Sequence, residues 1–384
     1  MVNRNYLLIF LMLICGKLQA QENDYQRADS ISTVLYEAGN WQALIDSGKN
    51  FIRTKNDFPA LRLRLAYAFF INQKYTEALQ QYDAILAGNS YHQTARLYAY
   101  WCNLYLNRFA AADYHASFID QNTLSNLHLK KFGLTVAGLE SSLKLPEDVT
   151  RNNAVYTRVF AGNRLGWHLQ AEHSVAYYNQ ENQERFYPQN PNQKYDPDQY
   201  EIYEKLNYQF NPKLSLLGAY HFLKNERSNH IALLGLKYIQ NKVELQADVN
   251  YANIDQTSIF QYNAKLNWYP LGNLNFYTIT RGVLQHSNSN QFIFSQLFGG
   301  KIMKNSWAET SVTFGQQDNY LEYDALYIYN SADVTTFRNT ETIYIRLNAH
   351  LLLPLTYMFE QKNNVFFNRY YNQHSITAAI LWRF

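Results

Sequence analysis

Seven charged or titratable side chains in the C-terminal half stand in segments where apolar and polar residues alternate. They are Glu172, Glu244, Asp248, Lys265, Arg346, His350 and Arg383. In an alternating strand all of them belong to the polar face. Both signs of charge are present, so two interpretations stay open: the side chains line a water-filled pore, or they pair across a narrow interior and fill it. His350 could titrate near neutral pH, although we expect a structural hydrogen bond.

The same half contains histidine and serine, which a lipid-cleaving barrel enzyme needs on one face of a strand. They occur as the adjacent pairs His173-Ser174, His286-Ser287 and His374-Ser375. Adjacent side chains point to opposite faces of a strand, so none of these pairs can cooperate. His115 and Ser117 are two residues apart, but they lie in a helical stretch where this spacing also separates side chains. The sequence predicts no catalytic residues and no enzyme, with a lipid-modifying enzyme as the less favoured alternative.

Metal and cofactor chemistry has little support in the sequence. Asp196 and Asp198 are the only carboxylates of a faintly loop-like cation motif, and we interpret them as solvated loop residues. Cys102 would be the lone cysteine after removal of a leader, which predicts neither a disulfide nor a zinc framework. We therefore expect no metal and no cofactor.

Long alternating segments must position the seven polar side chains. They include 243–251, 260–268, 343–351 and the final segment 376–384, in which Trp382 and the terminal Phe384 form an aromatic signature. Segments of this length, joined alternately by tight turns and longer polar loops, are typical of a barrel that crosses a membrane. We predict an antiparallel transmembrane β-barrel of about 12 strands over residues 151–384. Residues 324–330 are placed in an outer loop, 317–338; if they formed strand, the count would be 14.

The first half has a different period. Trp41, Tyr75 and Phe109 recur every 34 residues, and Ala78 and Ala112 follow two of these aromatics at the same distance. This pattern resembles the tetratricopeptide repeat, in which small residues let paired helices approach. It predicts an α-helical repeat array in a domain spanning residues 21–150. Such an array would bind a protein segment or a polymer, or it would act as a spacer.

Composition and the N-terminus place the chain in a compartment. Residues 1–20 resemble an export signal, with Arg4 ahead of an apolar run that is too short to span a bilayer. Aromatic residues make up 16% of the chain and charged residues 17%, which suits a barrel with a polar interior and aromatic rims. The net charge of +3 gives no support for nucleic acid as a partner. We expect the outer membrane of a Gram-negative cell, with the helical domain in the periplasm.

The order of helices and barrel resembles the YaiO family of outer-membrane proteins. The resemblance rests on the segments 165–169, 319–323 with Gly315, and 381–384. It implies an outer-membrane barrel and no defined activity.

We expect a non-enzymatic narrow channel or a scaffold subunit of an envelope export or assembly system. Its expected partners are outer-membrane lipid, a periplasmic protein or polymer at the repeats, and the barrel-assembly machinery at the last strand. Exopolysaccharide export is an alternative, because those exporters share the layout. A structural or adhesive barrel is another, with loops 179–198 and 317–338 binding outside ligands through Tyr187, Tyr195, Tyr320, Tyr323 and Tyr327.

Overall fold

The computed structural model describes residues 24–183, 194–195, 198–287, 289–330, 333–364 and 367–384. The predicted export signal and most of the loop 179–198, including Tyr187 and Asp196, lie outside these residues. The chain divides into two compact units. The described part of the first covers residues 24–107 and 118–120, and the second covers Arg108–Ser117 and the chain from Gln121.

The first unit consists of helices that pack in sequence. They are α1 (24–37), α2 (Trp41–Arg53), α3 (Pro59–Ile71), α4 (Tyr75–Gly88) and α5 (Gln93–Tyr105). Trp41 and Tyr75 each begin a helix, and Ala78 is fully buried. Leu65 and Cys102 are buried in the same core. No helix in the described part of the chain is both long and apolar enough to span a bilayer.

The second unit opens with two short helices, α6 (Phe109–Ala116) and α7 (Gln121–Asn126), and continues as strands. The strands are β1 (Gly133–Pro146), β2 (Arg151–Gly166), β3 (Leu169–Gln183), β4 (Lys194–Tyr195), β5 (Gln199–Asn211), β6 (Leu214–Lys224), β7 (Ser228–Gln240), β8 (Val243–Ile254), β9 (Thr257–Trp268), β10 (Phe276–His286), β11 (Asn290–Met303), β12 (Ser306–Gln317), β13 (Tyr320–Glu322), β14 (Tyr327–Tyr329), β15 (Val334–Arg346), β16 (Leu351–Asn364) and β17 (Arg369–Arg383).

These strands close into an antiparallel barrel. Each long strand pairs with its neighbour in sequence, and β1 pairs with both β2 and β17. β12 pairs with β15, because β13 and β14 form a separate hairpin between them. In the described part of the chain, fourteen long strands form the wall, and the short β4 adds to β3.

The predicted count of about 12 strands is therefore wrong. The two additional strands are β1 and β2, and β1 lies before the predicted domain border at residue 151. Neither strand has a clean alternation. β1 places Ser141 on the same face as Leu139 and Leu143, and β2 carries apolar or aromatic residues on both faces. Residues 324–330 do not supply the difference, because the strand they contain belongs to the separate hairpin.

The two faces of the wall have opposite characters. Large apolar side chains such as Leu234, Leu245 and Ile376 are exposed on the outside, whereas Asn250 and Gln261 are fully buried inside. A polar interior and an apolar exterior are the distribution of a barrel surrounded by lipid. Trp382 and Phe384 lie exposed at the end of the last strand. The fold is that of an outer-membrane β-barrel.

A designed disulfide tests the closure through β1. Ser142 and Thr377 are partners in register, and their hydroxyl oxygens are 2.8 Å apart. Cysteines at both positions, with Cys102 changed to alanine, should therefore oxidise within the folded barrel. Non-reducing electrophoresis should show a mobility shift that a reductant reverses.

The matched control places cysteine at Ser141 instead of Ser142. Its side chain leaves the opposite face of β1, so no cross-link to position 377 should form. A cross-link in the control alone would assign β1 to a different register.

Candidate functional site

The β13–β14 hairpin enters the interior of the barrel, here called the lumen. At its turn the carboxylate of Asp324 accepts a hydrogen bond from Gln246 at 2.8 Å. Lys205 Nζ lies 3.1 Å from the same carboxylate, and Lys265 Nζ lies 3.8 Å away. These partners belong to β5, β8 and β9. The turn is therefore fixed to one side of the barrel wall.

A second acid anchors the hairpin further round the wall. Glu322 pairs with Arg338 of β15 at 2.7 Å, with both side chains almost completely buried. Arg281 of β10 lies 3.9 Å from the same carboxylate oxygen, and the Tyr329 hydroxyl donates to Glu322 at 3.2 Å. A buried carboxylate requires such partners, because desolvating an unpaired charge is costly.

The other arm of the hairpin reaches the strands where the barrel closes. The Tyr327 hydroxyl donates to Glu140 of β1 at 2.8 Å. Arg158 of β2 donates to the same hydroxyl at 3.0 Å. Together with the contacts to β5, β8, β9, β10 and β15, these bonds connect the hairpin to walls on opposite sides. The hairpin thus crosses the lumen.

Apolar packing supports the polar anchors. Leu321 and Ala325 are buried against inward side chains of β6 to β9, including Leu217, Ile231 and Ile259. The Gln261 side chain accepts from the Leu321 amide at 3.0 Å and donates to the Leu321 carbonyl at 2.7 Å. These contacts explain why β6 and β7 carry apolar residues on both faces.

The hairpin turn has an uncommon backbone conformation. Tyr323, Asp324 and Ala325 have φ values of 50°, 61° and 63°, in the left-handed region that favours glycine. The Tyr203 hydroxyl donates to the Asp324 carbonyl at 2.9 Å, and the His221 Nδ1 lies 2.8 Å from the Ala325 carbonyl oxygen. Three consecutive strained residues persist only where the surroundings hold them, so the wall selects this conformation.

The electrostatics of the turn favour an ionised Asp324. Burial by itself would raise the pKa of this carboxyl. The ammonium groups of Lys265 and Lys205 and the Gln246 hydrogen bond outweigh burial and hold the pKa of Asp324 well below its ordinary value of 3.8. Asp324 is therefore ionised at neutral pH, and its contacts with Lys205 and Lys265 are ion pairs.

The chain leaving the hairpin is anchored next to the loop between β1 and β2. Asp333 accepts two hydrogen bonds from the Arg151 guanidinium, at 2.7 and 3.0 Å. The Tyr371 hydroxyl also donates to Asp333, at 2.8 Å. The chain that follows β14, here called the root of the hairpin, is therefore fixed to the wall, as are the two arms and the turn.

Helix α6 occupies the barrel end where β1 begins and β17 finishes. Arg108, just before the helix, pairs with Glu244 of β8 at 2.7 Å, with side chains 2% and 3% exposed. Arg164 of β2 contacts Asp113 at 2.7 Å, and Gln170 of β3 donates to Asp113 at 2.6 Å. β8 is five strands away from β2 in the order round the barrel. The segment from Arg108 to Asp113 therefore links two separate parts of this rim.

Asp113 differs from Asp324 in its electrostatics. Burial raises the pKa of Asp113, and the bonds from Arg164 and Gln170 offset that effect only in part. The Phe109 ring, at the start of α6, lies 5.5 Å from the Arg383 guanidinium of β17. Ala112 is buried. Phe109 and Ala112, two of the predicted repeat positions, thus belong to the second unit.

Several of the seven predicted polar side chains reach these two obstructions. Glu244 contacts the segment before α6, Arg383 contacts α6, and Lys265 contacts the hairpin. Glu172 lies 3.1 Å from Lys205, although 55% of its side chain remains exposed. Asp248 accepts from Asn250 at 2.9 Å.

The remaining two predicted residues lie at the barrel end. The Arg346 guanidinium is 5.0 Å from the centre of the Trp307 ring. His350 lies in the turn before β16, not in a strand. Its ring is 5.3 Å from that of Trp382, and its Nδ1 is 2.7 Å from the Arg383 carbonyl oxygen. The prediction that His350 faces the lumen is corrected accordingly.

Sequence reasoning missed the residues that form the crossing itself. The sequence places Glu322 and Asp324 in an outer loop and therefore predicts no role for their partners Arg281 and Arg338. The two arginines do fall in the polar phase of β10 and β15, and that signal could have identified them. Tyr320 is buried and Tyr327 is bonded to the wall. The adhesive alternative requires both tyrosines to be accessible to an outside ligand, and neither is.

The histidine–serine candidates for lipid chemistry stay apart. His173 lies on the outer face of β3, where its Nδ1 contacts the Glu204 carboxylate of β5. Ser174 is buried on the inner face. Among the described residues, no group of three or more His, Cys, Asp or Glu side chains could hold a metal ion.

Comparisons with known proteins give a likeness of fold. No family model matches the sequence, and no curated protein matches it. The chain is similar to the outer membrane protein Omp33 of Acinetobacter baumannii, with 8% identity, a TM-score of 0.41, and 65% of this chain and 99% of that one covered. It is also similar to a bacterial polysaccharide outer membrane secretin, with 10% identity, a TM-score of 0.41, and 65% and 98% covered. A KdgM porin in complex with disordered oligogalacturonate has 8% identity and a TM-score of 0.34, with 64% and 99% covered.

The hairpin should stay docked over a wide pH range. A carboxylate with a depressed pKa stabilises the docked form above the ordinary value of 3.8, and that stabilisation is lost as pH falls through the lower pKa. Hydrogen exchange of hairpin amides should therefore be constant from pH 7 to about pH 4, after correction for intrinsic rates. Asp324→Asn should speed exchange about tenfold or more at neutral pH, because charge-assisted bonds contribute about 1.5–3 kcal/mol.

Glu226→Gln, in an exposed turn, is the matched control and should leave hairpin exchange unchanged. Loss of protection already at pH 6 in the wild-type protein would contradict the assignment to Asp324.

The Arg108–Glu244 pair should hold the α6 segment in the barrel end. Arg108→Met leaves a buried carboxylate with one fewer counter-charge, which should weaken docking of the segment by about 3 kcal/mol. Faster hydrogen exchange of the α6 amides would report that change. The double variant Arg108→Met, Glu244→Met should recover most of the protection; a double variant as mobile as the single one would assign α6 docking to other contacts.

Proposed function

We propose that the protein is a non-enzymatic channel of the bacterial outer membrane whose lumen is obstructed by a hinged element of its own chain. The supporting observation is the β13–β14 hairpin, which crosses a polar lumen and is held at both sides by ion pairs. A barrel that needed only a filled interior could use apolar side chains alone. Charged anchors instead permit two states, because water solvates both partners once they separate.

The direction of the barrel follows from its ends. Val136 near the start of β1 pairs with Arg383 near the end of β17, so the wall begins and ends at the same rim. In bacterial barrels this rim with short turns faces the periplasm. The proposal therefore places α6 at the periplasmic opening, the hairpin root at the outer rim, and the preceding helical unit in the periplasm.

The helical unit supplies the proposed partner-binding function. Its helices stack in order, and such arrays commonly present a surface to a protein segment or a polymer. Exposed Tyr105 and partly buried Trp41 and Tyr75 belong to a continuous series of ring contacts along these helices. We infer that a periplasmic partner binds there and that the complete protein serves an envelope transport system.

We also propose that the protein does not hydrolyse lipids. On the lipid side, His173 has Glu204 as its partner and Ser174 faces away, so the geometry for attack on an acyl chain is missing among these residues. Phospholipid hydrolysis by the purified protein, lost in His173→Ala, would contradict this part.

Conductance across a planar bilayer tests the gate. The wild-type protein should be mostly closed. Replacing residues 319–332 by two glycines keeps Asp333 and joins β12 to β15, whose residues Gln317 and Thr335 are already paired. This variant should show stable stepwise conductance, because the lumen obstruction is removed. A folded deletion variant that stays fully closed would contradict the proposed channel.

Glu322→Gln with Asp324→Asn is the milder companion variant, since it keeps the hairpin and its apolar contacts. It should open at least about tenfold more often than the wild-type protein, in line with the loss of two charge-assisted contacts. Heat-dependent mobility in detergent gels should confirm that each variant retains the barrel.

A further inference from the structure

The hairpin acids lie beside a part of the barrel wall that is rich in bases. Asp324 lies beside Lys205 and Lys265, and Glu322 lies beside Arg338 and Arg281. Every one of these four cations is on a barrel strand, whereas both acids are on the hairpin. Withdrawal of the hairpin would therefore remove two negative charges from the lumen and leave the four positive charges behind.

The rest of the wall does not reverse this balance. On the lumen faces of the barrel strands that the structure describes, lysines and arginines outnumber acids. The acids are Glu140, Glu172, Glu201, Glu244, Asp248, Glu309 and Glu360, and the bases include Lys144, Arg158, Lys205, Lys237, Lys265, Arg281, Arg338, Lys362, Arg346 and Arg383.

Several wall acids are already committed to partners on the wall. Glu244 pairs with Lys237 at 2.9 Å. Glu140 pairs with Arg158 at 3.2 Å, and the Tyr344 hydroxyl donates to Glu309 at 2.8 Å. Two of the four bases around the hairpin acids also have a wall acid nearby: Lys205 pairs with Glu172 at 3.1 Å, and Glu360 interacts with the charge of Arg338. All four bases lie beside a hairpin carboxylate that leaves when the hairpin withdraws, so they are the cations whose charge an open lumen would expose.

We infer that the open lumen selects anions, and that Glu322 and Asp324 occupy the places where the negative groups of an anionic solute bind. This inference rests on the proposed channel and names its substrate class. Low-dielectric walls strengthen the attraction of a basic constriction for anions and its repulsion of cations. A solute with more than one negative group would compete directly with the two hairpin carboxylates for the same bases.

Reversal potential in a tenfold KCl gradient tests the selectivity. The variant in which residues 319–332 are replaced by two glycines should give a reversal potential of the sign for chloride over potassium. In that background Lys205→Met, Lys265→Met and Arg338→Met together should move the potential toward potassium. Lys224→Met, an exposed lysine at the end of β6, should not move it.

The outcomes separate the inference from the proposed function. A conducting deletion variant that prefers potassium would overturn anion selection and leave the channel in place. A folded deletion variant with no conductance would overturn the channel, and anion selection with it. Glu322→Gln with Asp324→Asn, which keeps the hairpin, should prefer chloride as well; preference for potassium there would also overturn the inference.

Competition can be measured on the wild-type protein. Citrate added at constant ionic strength should raise the frequency of openings, since its carboxylates can replace those of the hairpin. An equal ionic strength of potassium chloride should raise it less. If citrate and chloride act equally, the hairpin acids do not mark a binding place for polyanions.

Discussion

Closure of the wall through β1 is the constraint on which the second unit depends. In lipid, every main-chain amide and carbonyl needs a partner within the protein, so a sheet with a free edge cannot cross the bilayer. β1 removes both edges at once, because it pairs with β2 on one side and with β17 on the other. The even strand number and the shared rim of Val136 and Arg383 follow from that closure. So does the division of side chains into a lipid face and a lumen face.

A closed barrel of this size creates a second problem, since its lumen must be filled or hydrated. The chain fills part of it with β13 and β14, and the hairpin brings apolar and acidic groups together. Leu321 and Ala325 pack on the inward apolar residues of β6 to β9. Glu322 and Asp324 neutralise bases that the wall presents at the same level. Burying such charges is tolerable only in pairs, so the bases of the wall and the acids of the hairpin depend on each other.

The two obstructions use different electrostatics. The hairpin acid Asp324 is held ionised by two lysines, whereas burial raises the pKa of Asp113 in α6 despite its contact with Arg164. The hairpin is tied to the wall by charges that water could solvate on release. Helix α6 combines an ion pair at Arg108 with ring contacts at Phe109 and Tyr114, the latter 5.0 Å from the His168 ring. The proposed gate is the hairpin, because it crosses the lumen and both of its acids pair with bases of the wall.

The sequence by itself determined the class of the C-terminal half. Alternation in segments such as 243–251 and the ending at Trp382 and Phe384 follow directly from a wall with lipid outside, because each residue's face depends only on its position in the strand. The sequence also predicted helices around the 34-residue repeat of Trp41, Tyr75 and Phe109, and in the structure each of these residues begins a helix. The predicted number of strands was too low, because β1 and β2 lack a clean alternation of apolar and polar residues.

Only the tertiary structure decided what the lumen contains. The sequence predicts Glu322 and Asp324 in an outer loop, because local sequence does not determine whether a loop turns into the barrel or away from it. That choice depends on bases from β5, β9, β10 and β15, which are far apart in the chain and meet only when the barrel closes. For the same reason His350, in phase with a strand by sequence, ended in a turn: the strand stops where its partner β16 begins.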